Sequence, residues 1–418
     1  MSLHQPDGFV WPADGHIPHH LAEVHAQRPL SMYVHVPFCQ VRCGYCDFNT
    51  YTTGFGQGAD IATYSSSVVA ETHYAAQVLQ EAGFPIRPIR TLFYGGGTPT
   101  LLSCESIEHI LTGIRDSFTL AIDAEITVEA NPETVDEQSI RALAETGITR
   151  ISFGMQSAVP HVLKTLDRTH RPERVPQVVA WARDFGLDVS LDLIYGTPGE
   201  SLKDWELSLQ AVLEMQPDHI SAYALVIEEG TKMGADLARG RILPPDPDNE
   251  ATKYEMADEI LTEAGYRWYE ISNFARIKPG EENTAATDAT LLRYACRHNL
   301  AYWKDWDWWG LGPGSHSHIG RCRWWNRKHP RAYAQMVTQG VSPAAAGEIL
   351  DAHTRELERV MLAVRTAHGL PIPPSVSEQR VKELIDEGLI DEDTAHNGRI
   401  LLTLRGRLLA DYVTHMLV

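Results

Sequence analysis

From Ser31 to about Ala275, short apolar runs alternate with longer amphipathic stretches. The runs are Met32–Pro37, Thr91–Tyr94, Glu125–Ala130, Arg150–Gly154, Val189–Gly196 and His219–Val226. Most are rich in β-branched or aromatic residues, and several run into Gly, Pro or Asn, so each reads as a strand followed by a turn. Between them, Asp60–Ala82, Glu105–Phe118, Asp136–Thr146, Val175–Phe185 and Leu202–Met215 have helical spacing. Strands separated by helices at this interval are βα units, hence a parallel sheet in an α/β fold. Six or so units, without sequence for eight, favour an incomplete barrel over a closed one.

The polar residues fall at telling places in this pattern. Gly95–Thr98, Glu129, Gln156 and Asp192 lie in or just past the C-terminal halves of the strands. In parallel α/β architectures that edge is where ligand and catalytic groups collect. Near Lys278–Leu291 the pattern gives way to polar sequence, the best candidate for a boundary or surface insertion. Beyond it, Trp303, Trp306, Trp308, Trp309, Trp324 and Trp325 hold six of the ten tryptophans. Arg355–Ala367, Glu378–Glu387 and Gly406–His415 then read as helices, with Ile400–Leu404 as a short strand. That predicts a C-terminal α+β module ending in a winged-helix-like segment, a shape that by itself says nothing about DNA.

Charge removes one class of partner. The 418-residue chain carries a formal net charge of −19 and no basic block, so a nucleic-acid partner is not expected. Met1–Leu30 lacks the apolar core of a signal peptide, and no run of 18 apolar residues occurs, so a cytoplasmic protein is expected. Six cysteines in such a chain are not a disulfide framework. Cys104, Cys296 and Cys322 are scattered and read as idle thiols.

The other three form the strongest signal: Cys39-Gln-Val-Arg-Cys43-Gly-Tyr-Cys46. A 4Fe-4S cube normally takes four thiolates, so three from one short loop leave one iron open. An open iron can bind the amino and carboxylate groups of S-adenosylmethionine (SAM) and pass an electron to its sulfonium, releasing a 5′-deoxyadenosyl radical. Gly44 permits the tight backbone that such a loop needs. The competing reading is a zinc site completed by His35, although no second separated cysteine pair is present. Gly95-Gly-Gly-Thr-Pro99 follows a strand and offers backbone N–H groups to the charged end of a ligand. It lacks the Lys-Ser/Thr of a phosphate loop, and its alternative is a plain tight βα turn.

The spacing of the cysteines is the radical SAM signature, and the stretch from Tyr33 through Cys46-Asp-Phe-Asn-Thr-Tyr resembles the oxygen-independent coproporphyrinogen III oxidase group, most of all its heme chaperone branch. The resemblance continues through Tyr94-Gly-Gly-Gly-Thr-Pro-Thr, Glu129-Ala-Asn-Pro, Ser152-Phe-Gly-Met-Gln156-Ser, Asp192-Leu-Ile-Tyr-Gly, His219-Ile-Ser-Ala-Tyr, Tyr269-Glu-Ile-Ser-Asn-Phe and His298-Asn-Leu-Ala-Tyr-Trp303. It implies a partial (β/α)6 radical SAM barrel over residues 31–275, after an N-terminal extension of residues 1–30. It also implies a polar insertion or linker at 276–297 and a heme-chaperone-type domain at 298–418.

For individual residues the resemblance implies Cys39, Cys43 and Cys46 as cluster ligands. It implies Tyr33, Gly97, Thr98, Pro99 and Glu129 as contacts of the cluster-bound SAM, and Gln156, Arg168 and Asp192 as the lining of a second SAM pocket. His298 would grip heme, with His316 and His318 as weaker competitors; the alternative for His298 is a histidine hydrogen-bonded in an aromatic core. The expected activity is reversible heme binding and delivery to heme-requiring respiratory proteins, often membrane-bound, with a flavodoxin- or ferredoxin-like electron donor. The rival activity is radical decarboxylation of coproporphyrinogen III. Against it, the oxidases carry a further cysteine two residues after the third cluster ligand, where this chain has Phe48.

Overall fold

The structure is a computed structural model and describes residues 8–18, 28–52, 60–85 and 87–418. All six expected strands are present and parallel, in chain order: β1 Leu30–Val36, β2 Ile89–Gly96, β3 Leu120–Ala130, β4 Arg150–Gln156, β5 Asp188–Tyr195 and β6 His219–Ala224. The crossover helices are α1 Ile61–Glu81, α2 Cys104–Ser117, α3 Glu137–Thr146, α4 Pro160–Thr165, α5 Arg174–Asp184 and α6 Leu202–Met215. Their ends follow local rules. Reciprocal capping boxes, Asp136 with Ser139 and Ser201 with Asp204, start α3 and α6. Gly147, at φ +104°, ends α3 in a left-handed conformation.

The strands alternate, and the alternation sorts chemistry to two faces. Met32, Val34, Leu92, Val128, Ile151, Leu191 and Ile220 belong to one continuous hydrophobic core beneath the helices. The opposite face carries Ser31, Tyr33 and His35 in register with Thr91, Phe93 and Gly95. Further along it, Thr127 pairs with Arg150, Glu129 with Ser152, Ser152 with Ser190, and Asp192 with Ser221. A partial barrel whose inner face is this polar is built to hold a ligand, since buried polar groups need partners.

The sheet is larger than the pattern predicts. Beyond β6 lie β7 Tyr266–Glu270 and β8 Asn273–Arg276 in an antiparallel hairpin. Beyond β1 lie β9 Asp307–Leu311, parallel to it, and antiparallel β10 His316–Ile319, β11 Cys322–Asn326 and β12 Ala344–Ile349. The result is a twelve-stranded sheet, β12-β11-β10-β9-β1-β2-β3-β4-β5-β6-β8-β7. Residues 307–349 thus continue the barrel's own sheet. The buried Glu71 of α1 ties them down, accepting hydrogen bonds from Gly312 N–H (2.7 Å), Asn326 Nδ2 (2.7 Å) and the Tyr333 hydroxyl (2.5 Å).

Residues 276–297 pack rather than dangle: Ala289, Leu292, Ala295 and Cys296 are buried with Tyr269 and Leu300. A separate hydrophobic cluster, from Val360 to Leu417, forms the C-terminal module. The strand expected at Ile400–Leu404 is only Arg399–Ile400, paired with Leu370–Pro371. It stops there because the Thr403 side chain accepts from Gly406 N–H and starts a helix at Leu404. Among the described residues no helix is long and apolar enough to cross a membrane.

Candidate functional site

The cysteine loop leaves β1 directly. Phe38–Cys39 forms a short parallel pair with Tyr51–Thr52, and Cys46 N–H closes a turn on Cys43 O at 3.2 Å. Gly44 is tied on both sides, its N–H to Leu166 O (3.4 Å) and its carbonyl to Met233 N–H (2.8 Å). A Cβ at Gly44 would sit 2.5 Å from Asp167 Oδ2, so a larger residue would require the Asp167 side chain to move. All three thiols are free; Cys39 is buried and the other two half-buried. Burial pushes the Cys39 thiol up to about 11 and raises that of Cys46. At those two positions burial disfavours the thiolate, which nearby positive charge would favour.

The donor set fits a multi-iron cluster better than a single ion. Among the described residues, no three His, Cys, Asp or Glu side chains converge on one metal position. His35, the fourth ligand of the zinc alternative, has one ring nitrogen on the Tyr33 hydroxyl (3.1 Å) and the other on Asn49 O (2.9 Å). Two sulfurs instead face donors, Cys39 the Thr98 hydroxyl at 3.9 Å and Cys43 the Arg168 Nη1 at 3.6 Å. Such outer partners favour the anionic sulfur.

The three cysteines line a cavity of about 710 Å³ that runs into the polar face of the barrel. Gly97, Thr98, Pro99, Glu129, Gln156, Arg168 and Asp192 all line it, so seven of the eight residues assigned to SAM meet at one site. Glu129 accepts from Gly96 N–H at 3.1 Å; burial, then the charge of Asp192, pushes its carboxyl up to about 8. Asp192 accepts from the Ser152 hydroxyl at 3.0 and 3.1 Å and is pushed by burial up to about 6. Burial disfavours charge on both carboxyls, most of all at Glu129, and a cationic ligand would relieve that environment. Arg168 donates to Gly154 O at 2.7 Å. Gln156 sits at φ +63° in a tight turn closed by Ser157 N–H on Met155 O (2.8 Å). A non-glycine residue in that region is strained, and such strain gathers at functional sites.

Two expectations need correction. The glycine run does not present free N–H groups: Gly96 N–H donates to Glu129, Gly97 N–H to Val36 O (2.8 Å) and Thr98 N–H to Phe38 O (2.7 Å). Its glycines serve close packing, since a Cβ at Gly97 would lie 2.5 Å from Phe38 O and one at Gly96 2.5 Å from the His35 ring. Tyr33 is not among the lining residues; its ring stacks behind Phe93 with centroids 6.2 Å apart.

His298 departs furthest from its assigned role. It lies in α10 Arg297–Trp303, which follows α7 Lys232–Ala238, α8 Pro247–Glu263 and α9 Glu282–Thr287. Glu125 anchors the start of α10, accepting from His298 N–H (3.0 Å) and Arg297 N–H (3.2 Å) and pairing with Arg150 (3.4 Å). The imidazole is 2% exposed, with one nitrogen on the Thr91 hydroxyl (2.8 Å) and the other on the Tyr302 hydroxyl (3.0 Å). It stacks on Phe93 at 4.9 Å, and Phe93, not His298, faces the cavity. Burial pushes it down to about 4, so the ring is neutral, but neither nitrogen is free for iron. Both ring nitrogens are thus hydrogen-bonded, and the ring packs against Phe93 and Tyr302. His318 is likewise buried, with one nitrogen on Gly320 O at 3.1 Å.

Sequence reasoning left Arg150, Ser190, Ser221, Tyr223 and Asn299 unassigned, yet all line the cavity. For the four on strands the signal was the polar half of the alternation, legible once the inner face is known, whereas Asn299 lies on the helix Arg297–Trp303. Phe48 lies at the cavity with 59% of its surface exposed, beside Val41 and Val226.

Comparison with known proteins is consistent with this geometry. Residues 33–212 match the Radical SAM superfamily. Heme chaperone HemW of Mycobacterium tuberculosis is 43% identical over 94% of this chain and 95% of its own length. That of Bacillus subtilis is 31% identical over 92% and 97%. Among solved structures, coproporphyrinogen III oxidase (HemN) from Escherichia coli superposes with a TM-score of 0.78 at 25% identity, covering 96% of this chain and 92% of that one.

Proposed function

The chain belongs to the heme chaperone family within the radical SAM superfamily, and from that premise we propose how its residues divide the work. Cys39, Cys43 and Cys46 hold a 4Fe-4S cluster with one iron left for SAM, which occupies the cavity against Gly97, Thr98, Pro99 and Glu129. When bound, the cluster supplies a low-potential electron to the sulfonium of SAM. The chain's own residues set the conditions. The Thr98 hydroxyl and the Arg168 guanidinium stabilise negative charge on the sulfurs of Cys39 and Cys43. Glu129, held protonated by burial and by the charge of Asp192, releases its proton as a positive ligand enters. Gln156, Arg168 and Asp192 leave room beside that ligand for a second one.

In this reading the protein works in the cytoplasm and binds heme as cargo. It passes heme to respiratory acceptor proteins, with reducing electrons from a flavodoxin- or ferredoxin-class donor. The observation that carries it is the convergence of three free thiols and two buried carboxyls on one cavity. The test is anaerobic cluster reconstitution, then heme titration and a coproporphyrinogen turnover assay on the same sample. Saturable heme binding without protoporphyrinogen product is expected; robust SAM-dependent decarboxylation would overturn the reading. Cys43→Ala should abolish the visible iron–sulfur absorption, and its survival would remove the ligand assignment.

A further inference from the structure

The cysteine loop has two sides. One lines the main cavity, and the other lines a second groove of about 690 Å³. The two spaces share Val41, Asp167, Arg168 and Thr169. Val41 and Arg42 stand between Cys39 and Cys43 in the chain. Arg168 lines both spaces, and its Nη1 lies 3.6 Å from Cys43 Sγ. An occupant of the groove is therefore one side chain away from a cluster sulfur.

The sequence contains no basic block, yet the fold assembles one here. Arg42 comes from the cysteine loop, Lys164 from the last turn of α4, Arg171 from the segment after it and Lys232 from the start of α7. All four are exposed. Their supports are tied to the loop: Met233 N–H donates to Gly44 O at 2.8 Å, and Arg42 Nη2 donates to Cys46 O at 3.1 Å. With Arg168, five cationic side chains line the groove against two carboxylates, Asp167 and Glu173. Asp167 is paired with Lys232 at 2.6 Å, and Arg171 reaches Glu133, outside the lining, at 3.6 Å. Arg42 and Lys164 are in no ion pair among the described residues. In a chain of net charge −19, such a patch is a target for an acidic partner.

The patch also has an apolar part, from Val41, which is 53% exposed, with Pro160 and Pro172. An apolar centre with a charged rim is how protein interfaces are built, and transient redox complexes are the smallest of them. A free phosphate would leave the apolar surface unused. SAM, cationic at its sulfonium and amine, would be repelled. Nucleic acid needs a longer track of cations than four side chains interrupted by two carboxylates.

The chemistry of the cluster points the same way. A cluster that gives an electron to a sulfonium must be refilled from outside, and the main cavity is taken by the ligand. The electron then has to enter on the other side of the loop. We propose that this groove docks an acidic one-electron carrier protein, with Arg42, Lys164, Arg171 and Lys232 meeting its carboxylates. The step is a bare electron transfer. The reduced cofactor of the carrier is oxidised by one electron, the cluster is reduced by one, and no bond or proton passes between the proteins. The inference rests on the cluster and electron-donor reading and adds to it the docking surface and the charge of the partner.

The test mixes the full-length, cluster-loaded protein anaerobically with a reduced flavodoxin of acidic sequence and follows the bleaching of the iron–sulfur absorption. The second-order rate of the wild type should fall about tenfold between about 50 and 500 mM salt. Lys164→Glu with Arg171→Glu should slow it by about tenfold or more at low salt, and Glu173→Lys should speed it about twofold. Photoreduced 5-deazariboflavin, small and uncharged, should reduce all three proteins at rates within about twofold of one another. Binding gives a second readout, without the cluster: the Kd of labelled oxidised flavodoxin for the cluster-free protein, by fluorescence anisotropy, should rise about tenfold in the charge-reversed pair.

Rates and affinities within about twofold of the wild type in the charge-reversed pair would remove the docking surface and leave the cluster reading standing. Equal slowing with 5-deazariboflavin would also remove it, since the substitutions would then act on the cluster itself. Inorganic phosphate binding that depends on Lys164 and Arg171, with flavodoxin unaffected by either, would make the groove a small-anion site instead. If neither reductant bleaches the wild-type cluster, the reading of an electron-accepting cluster falls. Should the charge-reversed pair fail to hold its cluster, Glu173→Lys decides, and an unchanged rate in it overturns the proposal.

Discussion

The cysteine loop and the His298 segment carry equally recognisable sequence patterns, and the fold treats them in opposite ways. The loop opens onto a cavity: its thiols are free, two of them are half-buried, and exposed Val41 and Phe48 flank them. The His298 segment is closed. Its imidazole is held by Thr91 and Tyr302, stacked on Phe93 and sealed beneath the residues that face the cavity. A sequence pattern therefore marks a position without saying whether the reason is a ligand or the packing beneath one. Unsatisfied capacity separates the two cases. Orphaned or proton-holding groups that face open space ask for a partner, and groups whose hydrogen bonds are complete do not.

The sharpest way to break this contrast is to truncate the closed side. His298→Ala removes two buried hydrogen bonds and an aromatic stack and leaves a cavity beside Phe93. The expected loss is about 2–4 kcal/mol in the cofactor-free protein, read by chemical denaturation. A loss below about 0.5 kcal/mol, the level of an ordinary surface substitution, would mean the ring is loosely held and able to turn toward iron.

Much of this was legible in the sequence, for physical reasons that differ from element to element. The cluster loop is readable because its three ligands are contiguous, so spacing alone carries the geometry. The six barrel strands are readable because each combines period-two alternation with a turn signal. The strands β9 to β12 were missed because the tryptophans around them drew attention to composition rather than alternation. Their one local signal was the two-residue Gly320-Arg321 turn that brings Ile319 opposite Cys322, with Gly320 at φ +61°. That β9 pairs with β1, nearly 280 residues earlier, is a tertiary fact that no local pattern encodes. The glycine run was placed correctly and explained wrongly, because which backbone N–H is free depends on the neighbouring loop.

A smaller effect tests the open side through its protons. Burial raises Glu129 to about 8 from its usual 4.5, so the folded chain holds a proton there that the unfolded chain has lost. Stability from this group is complete below about pH 4.5 and is lost as the pH rises through about 8. Glu71 and Glu270, each pushed by burial up to about 7, act in the same direction. The difference between wild type and Glu129→Gln therefore isolates one carboxyl. Between about pH 6 and pH 8 the ligand-free wild type should lose about 1–2 kcal/mol more than the variant, measured as the denaturation midpoint at each pH. Parallel pH profiles would show that Glu129 is already ionised and compensated, and the cavity would lose its claim to select a cation.

The smallest expected effect is at Phe48, where the sequence first separated this chain from the decarboxylating oxidases. The phenyl ring has 59% of its surface in solvent, so its removal takes little area out of the core. Phe48→Ala should change the stability of the ligand-free protein by no more than about 0.5 kcal/mol. Phe48, Val41 at 53% exposure and Val226 at 66% all line the cavity that the cysteines share. Apolar surface left in water at such a place is surface kept for an occupant. A loss above about 1.5 kcal/mol would mean that the loop is packed as firmly as the His298 segment, and the distinction between an open, waiting region and a closed, supporting one would fail at the residue where it should be plainest.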